Sequence, residues 1–137
     1  MAHTAGILGY GLYLPKERMT AKEISEATGG FWSEKAVREK LGIVQKPVPG
    51  PGDGTQEMGV YAARDALSRT GLDPKEIDVI LCIGEEWKEY PLTTSATYIQ
   101  DAVGAVNAWG IDVQNRCCTT CAALKMAKDM LIADDEI

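Results

Sequence analysis

Three thiols fall within five residues of one another in the run Gln114-Asn115-Arg116-Cys117-Cys118-Thr119-Thr120-Cys121. The run follows a short segment, Trp109 to Val113, that reads as a strand. It precedes Cys117 to Ala133, where Ala122, Ala123, Met126, Ala127, Met130 and Leu131 recur at helical spacing. In parallel α/β sheets, ligands bind at the C-terminal ends of strands. A thiol at such a strand-to-helix turn meets unpaired backbone N–H groups and the positive end of the helix dipole, which favour the thiolate and make it a nucleophile near neutral pH. The same pattern also fits small apolar residues packed under a sheet, and spacing alone does not separate the two. Glu85 and Glu86 directly follow a second strand-like run, Ile77 to Ile83. A partly buried carboxyl group there has a raised pKa and serves as general acid or base. With Lys88 and Glu89 beside them, the two glutamates equally fit a solvated loop.

Other chemistries find less support. Cys118-x-x-Cys121 has zinc-like spacing, but there is no second pair and the single histidine is His3, so no metal is expected. A thioredoxin-like role lacks its surrounding context. Cys82 sits within an apolar strand and reads as core. Trp32, Trp87 and Trp109 read as packing or interface residues. Gly9-Tyr10-Gly11 matches the first glycines of a dinucleotide fingerprint, but Leu14 stands where the third belongs.

The elements that must position these residues alternate. Thr4 to Leu14 reads as a first strand, with Gly9 and Gly11 allowing a turn or a close approach to another segment. Thr20-x-x-Glu23 is a capping box for a short helix from Ala21, stopped by Gly29 and Gly30. A second short helix runs from Ser33 to Lys40 and closes at Gly42. Lys46 to Gly54 holds three prolines and three glycines and reads as a surface loop. Thr55 to Thr70 is the clearest helix, ended by Gly71. Ile77 to Ile83 is nearly continuous in apolar residues, the signature of a strand buried on both faces. Thr93 to Val103 reads as a helix ending at Gly104. The order of strand, helices, strand, helix, strand and helix predicts an α/β fold with a mostly parallel sheet.

The chain has 137 residues and a net charge of −6, enough for one domain with a core and the wrong sign for a nucleic-acid or anionic-membrane surface. No apolar run approaches the roughly 20 residues of a membrane helix. The opening MAHTAGILGYG lacks the pattern of a signal peptide, so a cytoplasmic location with reduced thiols is expected. Asp134-Asp135-Glu136-Ile137 resembles Asp73-Pro74-Lys75-Glu76-Ile77, the lead-in to a strand. Residues 1–137 are accordingly expected to be one N-terminal domain of a larger protein, truncated before its last strands.

Taken together, several segments resemble the N-terminal half of thiolase-fold condensing enzymes, in particular β-ketoacyl-ACP synthase III and hydroxymethylglutaryl-CoA synthase. They are ILGYGLYLPKERMT, VREKLGI, GVYAARDALSRTGLDPKEIDVILCI, SATYIQDAVGA and IDVQNRCCTTCAALKMAKDML. In hydroxymethylglutaryl-CoA synthases an Asn stands two residues before the active cysteine, as Asn115 does before Cys117, and Ala122-Ala123-Leu124 keeps the register. In the synthase III group the cysteine comes four residues after the Val of an Asp-Val pair, as Cys117 does after Asp112-Val113. Both registers select Cys117.

The resemblance implies a three-layer α/β thiolase-like half with helices on both faces of the sheet. It implies a Claisen-type condensation in which an acyl-CoA, a substrate rather than a cofactor, acylates Cys117. A second thioester, on acyl carrier protein or coenzyme A, then condenses with it. Glu85 matches the catalytic glutamate of the hydroxymethylglutaryl-CoA synthases, whereas synthase III has a small hydroxyl residue there. Lys40 matches a basic residue that helps hold coenzyme A. A homodimer is implied. The leading expectation is a synthase III-type acyltransferase. The alternatives are a hydroxymethylglutaryl-CoA synthase-like enzyme using Glu85, and a non-catalytic scaffold subunit. Two residues depart from the pattern: Thr119 replaces the usual glycine two residues after the cysteine, and Cys118 is atypical, so both are expected to crowd the acyl site. The family's catalytic His and Asn, or second His, belong to the other half, and His3 is out of place for either role.

Overall fold

A computed structural model describes residues 4–84, 90–134 and Ile137. The chain divides into two compact units. One joins the residues up to Tyr13 with Thr55–Ile137, and the other is Leu14–Gly54.

The smaller unit is built on local caps. Strand β1 (Arg18–Thr20) pairs antiparallel with β2 (Gln45–Pro47), Arg18 opposite Pro47. Thr20 ends β1 and caps helix α1 (Ala21–Ala27). Its hydroxyl accepts from the Glu23 N–H, and the Glu23 carboxylate accepts from the Thr20 N–H at 2.7 Å, so the capping box is complete. These bonds from Thr20, backbone first, hold the Glu23 carboxyl below the usual carboxylate range. Ser33 caps α2 (Glu34–Glu39) through the Ala36 N–H. Gly29, Gly30 and Gly42 all take positive φ, which only glycine adopts without strain, and they end the two helices where expected. Ala21 and Val37 are the buried centre of this unit. The β1–β2 pair was not expected: three-residue strands carry no alternation to read, and Pro47 lies within the loop-like stretch.

The larger unit holds the parallel pair. Helix α3 (Thr55–Thr70) leads through Gly71 and a 3₁₀ turn, Pro74–Glu76, into β3 (Val79–Gly84). Asp73 caps that turn by accepting from the Lys75 N–H at 3.0 Å. Helix α4 (Ser95–Val103) ends at Gly104 with φ 80°, and β4 (Trp109–Gln114) follows. β3 and β4 are parallel, with Val79 opposite Trp109 and Gly84 opposite Gln114. Helix α5 (Thr119–Ala133) closes the described chain.

Side chains alternate across a strand. A Cβ on Gly110 would lie 2.9 Å from the Ala96 Cβ, and the Asp112 carboxylate reaches the first turn of α4, so this face of the pair packs on α4. Val79 and Leu81 share a groove with Ala127, Met130 and Leu131 of α5. The two helices thus cover opposite faces, as an α/β layer arrangement requires. Residues of β3 are half-buried to exposed rather than sealed on both faces, because β4 is its only strand partner among the described residues.

The expected first strand is absent. Residues 4–14 have no strand pairing, and Ile7 and Leu8 are 80% and 74% exposed. A strand exists through its partner's hydrogen bonds, and no described strand is hydrogen-bonded to this segment. Its contacts are instead with α3. The Leu12 N–H donates to Asp65 Oδ2 at 2.9 Å, and the rings of Tyr13 and Tyr61 stand 4.8 Å apart. The Leu12 amide first, and then the Arg69 guanidinium at 2.7 Å, hold the Asp65 carboxyl below the usual carboxylate range. A carboxylate depressed on folding stabilises above its unfolded pKa, and that contribution is lost as pH falls through the folded value. An Asp65→Asn variant is therefore expected to be less stable than wild type at pH 7, with the gap closing as pH falls well below about 4. Urea midpoints of the two proteins across this range check it; a gap that persists unchanged at the acid end would remove Asp65 as the anchor.

Candidate active site

The turn between β4 and α5 differs in backbone from the rest of the chain. After Asn115 comes a single 3₁₀ turn, Arg116–Cys118, and α5 begins only at Thr119. The helix was expected from Cys117, so the thiol stands just ahead of the α-helix rather than within its first turn. Arg116 has φ 50°, the one positive φ at a non-glycine among the described residues. That region is unfavourable for a residue with a Cβ and persists only where surrounding bonds hold it. Two backbone bonds close the turn: the Cys118 N–H donates to Asn115 O at 3.1 Å, and the Thr119 N–H donates to Arg116 O.

Cys117, Cys118 and Cys121 are all exposed, and Cys82 in β3 is half-buried. Cys118 is the N-cap of α5 but makes no side-chain capping bond, and no acidic residue stands in the first turn. The positive end of α5 is thus neither capped by this side chain nor neutralised by a nearby carboxylate of its own. Among the described residues, no group of three or more His, Cys, Asp or Glu side chains converges as a metal site. No helix among them is long and apolar enough to cross a membrane.

Thr119 is 4% exposed. Its hydroxyl accepts from the Asn115 N–H at 2.7 Å and donates to Arg116 O at 2.7 Å, with Gly84 O a further 3.4 Å contact. The residue expected to crowd an acyl group has its hydroxyl turned into the backbone of the turn and toward the end of β3. Sequence inspection missed this; the available signal was a threonine four residues after Asn115, the spacing for a side chain to bond a turn.

In the sequence Asp112 stands out only through its register with Cys117. Its carboxylate accepts from the Ser95 N–H (2.9 Å) and the Ala96 N–H (2.8 Å), capping α4 from the neighbouring strand. Thr94, the local N-cap, makes no side-chain cap bond. Truncating Asp112 to Ala removes both acceptors from a half-buried helix end. The expected loss is about 2 kcal/mol of stability, read from denaturant midpoints; a change within about 0.5 kcal/mol would show that α4 does not depend on this cap.

Gly84 and Gln114 are paired, so β3 and β4 end side by side. The turn that bears Cys117 leaves from one strand end, and Glu85 is the next residue in sequence after the other. Glu85 itself lies outside the described residues, as do Glu86 and Trp87. Lys40 is the C-cap of α2 in the smaller unit, its N–H donating to Ala36 O at 2.9 Å.

A parallel pair with helices on opposite faces, and a thiol on the tight turn between strand and helix, match the N-terminal half of the thiolase fold. The comparisons agree. The priming β-ketosynthase of the R1128 polyketide biosynthetic pathway superposes with TM-score 0.81 and 30% identity, over 92% of this chain and 37% of that one. The 3-oxoacyl-[acyl-carrier-protein] synthase III of Aquifex aeolicus VF5 superposes with TM-score 0.81 at 22% identity, over 93% of this chain and 40% of that one, a likeness of fold.

In sequence, the hydroxymethylglutaryl-CoA synthase of Archaeoglobus fulgidus is 32% identical over 131 residues, 93% of this chain and 37% of that protein. That of Methanothermobacter thermautotrophicus is 39% identical over 101 residues, 74% of this chain and 28% of that protein. No family model matches the chain. It spans roughly a third of the curated relatives it matches. The chain is a homologue of archaeal hydroxymethylglutaryl-CoA synthases within the thiolase-fold condensing enzymes.

Proposed function

We propose that the chain is the nucleophile-bearing part of an acyl-CoA-dependent condensing acyltransferase of the hydroxymethylglutaryl-CoA synthase type, acylated on Cys117. The observation that carries this is the turn itself: an exposed thiol immediately after a left-handed residue, ahead of a helix end without a side-chain cap. Identities of 32% and 39% to hydroxymethylglutaryl-CoA synthases, together with a carboxylate at position 85, favour this type over the synthase III type first expected. The synthase III reading has in its support a likeness of fold to the Aquifex aeolicus enzyme of that name.

In this reading the Cys117 thiolate attacks the thioester carbonyl carbon of an acyl-CoA. The negative charge that develops on the carbonyl oxygen is met by backbone N–H groups near the start of α5. The new C–S bond forms as coenzyme A leaves as its thiolate. A hydroxymethylglutaryl product carries a tertiary alcohol, so the acyl group on Cys117 loses an α-proton to a base and the carbanion adds to the keto carbon of a 3-oxoacyl thioester; the alkoxide takes up a proton, and water then cleaves the Cys117 thioester, returning the thiol. Glu85 moves protons to or from the second substrate. Lys40 supplies a positive charge for coenzyme A. A homodimer acting in the cytoplasm, on thioesters of coenzyme A or acyl carrier protein, completes the proposal.

Competition labelling with iodoacetamide tests it. Cys117 is expected to alkylate at least about tenfold faster than Cys82, Cys118 or Cys121 at neutral pH. Equal, slow alkylation of all four thiols would leave the scaffold reading in its place.

A further inference from the structure

The Thr119 hydroxyl is engaged on both sides. It has one proton to give and lone pairs to accept with. It accepts from the Asn115 N–H at the start of the turn and gives its proton to Arg116 O, with Gly84 O the alternative acceptor. Those two backbone groups bracket the bonds whose rotation sets the φ of Arg116 at 50°. A left-handed φ is unfavourable for any residue with a Cβ, and the two bonds of the Thr119 hydroxyl restrain it here. Cys117 is the next residue, and its position follows from the conformation of Arg116. The hydroxyl oxygen also lies 3.4 Å from the carbonyl oxygen of Gly84, the last residue of β3, after which Glu85 comes in sequence.

We propose that Thr119 is a positioning residue for Cys117: its buried hydroxyl clamps Asn115 and Arg116 in the left-handed turn that presents the thiol. This rests on the reading of Cys117 as the nucleophile. Glycine has no side chain to do this work, so the departure at position 119 is a gain of a clamp as well as of bulk.

Valine keeps the shape and deletes the hydroxyl; serine keeps the hydroxyl. Alkylation of each thiol by iodoacetamide is followed by peptide mapping in wild type, Thr119→Val and Thr119→Ser. The expected result is a loss of about tenfold or more at Cys117 alone in Thr119→Val. Cys82, Cys118 and Cys121 keep their rates, and Thr119→Ser restores Cys117 to within about threefold of wild type. A general loosening of the fold would instead raise the rate at half-buried Cys82. Hydrogen exchange of the Asn115 amide in the wild-type chain is a second readout that needs no variant: protection is expected. An unprotected Asn115 amide overturns the clamp, and so does a Thr119→Val protein whose Cys117 alkylates at the wild-type rate. If instead Cys117 of the wild type is no faster than the other thiols while the Asn115 amide is protected, the nucleophile assignment fails and the clamp is only structural.

Discussion

A Cys117→Ser protein is expected to lose acyl transfer from acetyl-CoA by about 10³-fold or more, while Cys118→Ser and Cys121→Ser keep most of it. Serine is close in size and preserves the turn, so the loss reports chemistry rather than packing. A hydroxyl is a poor nucleophile at neutral pH unless a base takes its proton, whereas a thiol is partly ionised already. The three neighbouring thiols are all exposed, so access does not distinguish them; the backbone does. Cys117 alone follows the left-handed Arg116, Cys118 is the helix cap, and Cys121 lies in the first turn of α5. Uptake of radiolabel from acetyl-CoA by the three variants decides the point. Full labelling of Cys117→Ser would move the nucleophile to another thiol.

The largest effect on folding is expected at Gly11. A Cβ built there falls well inside contact distance of the Ala62 carbonyl oxygen and the Ala66 nitrogen, and 2.8 Å from the Ala66 Cα. All three are backbone atoms of α3, which no change of rotamer can move. Gly11→Ala must therefore lift the N-terminal segment off the helix, breaking the Leu12–Asp65 bond and the Tyr13–Tyr61 contact. The expected cost is about 3 kcal/mol, seen as a lowered urea midpoint. Gly6→Ala is the control, since its Cβ meets nothing within 4 Å. A Gly11→Ala protein as stable as Gly6→Ala would show that the segment does not lie against α3.

What was legible in the sequence follows the range of the interactions involved. Helix ends are local, and the Thr20–Glu23 capping box, Ser33, Gly71 and Gly104 mark them correctly. The bounds of α3 match because its apolar spacing and its closing glycine agree. Gly9 and Gly11 were legible as residues of close approach, though not as facing α3. Strands are less local. Val79–Gly84 was visible through its apolar run, but Ile7 and Leu8 looked equally strand-like and have no partner among the described residues. Arg18–Thr20 and Gln45–Pro47 pair across 25 residues of chain with no pattern to announce it.

At the site, the strand-to-helix turn that carries Cys117 could be read from the strand-like and helical runs on either side of it. The Asp112 cap could not, because it bonds a helix end that only the folded chain brings near; the Thr119 clamp is local, and its one trace in the sequence is the spacing from Asn115. Glu85 was read from sequence alone and falls outside the described residues.

One thiol, on the left-handed turn, is expected to take the acyl group. Incubating the chain with labelled acetyl-CoA, digesting it at a pH that preserves thioesters, and mapping the labelled peptide by mass spectrometry tests this most directly. A single acetyl group on the Cys117 sulfur is the expected result. An acetyl group spread over Cys117, Cys118 and Cys121, or placed on Cys118 or Cys121 alone, would contradict it.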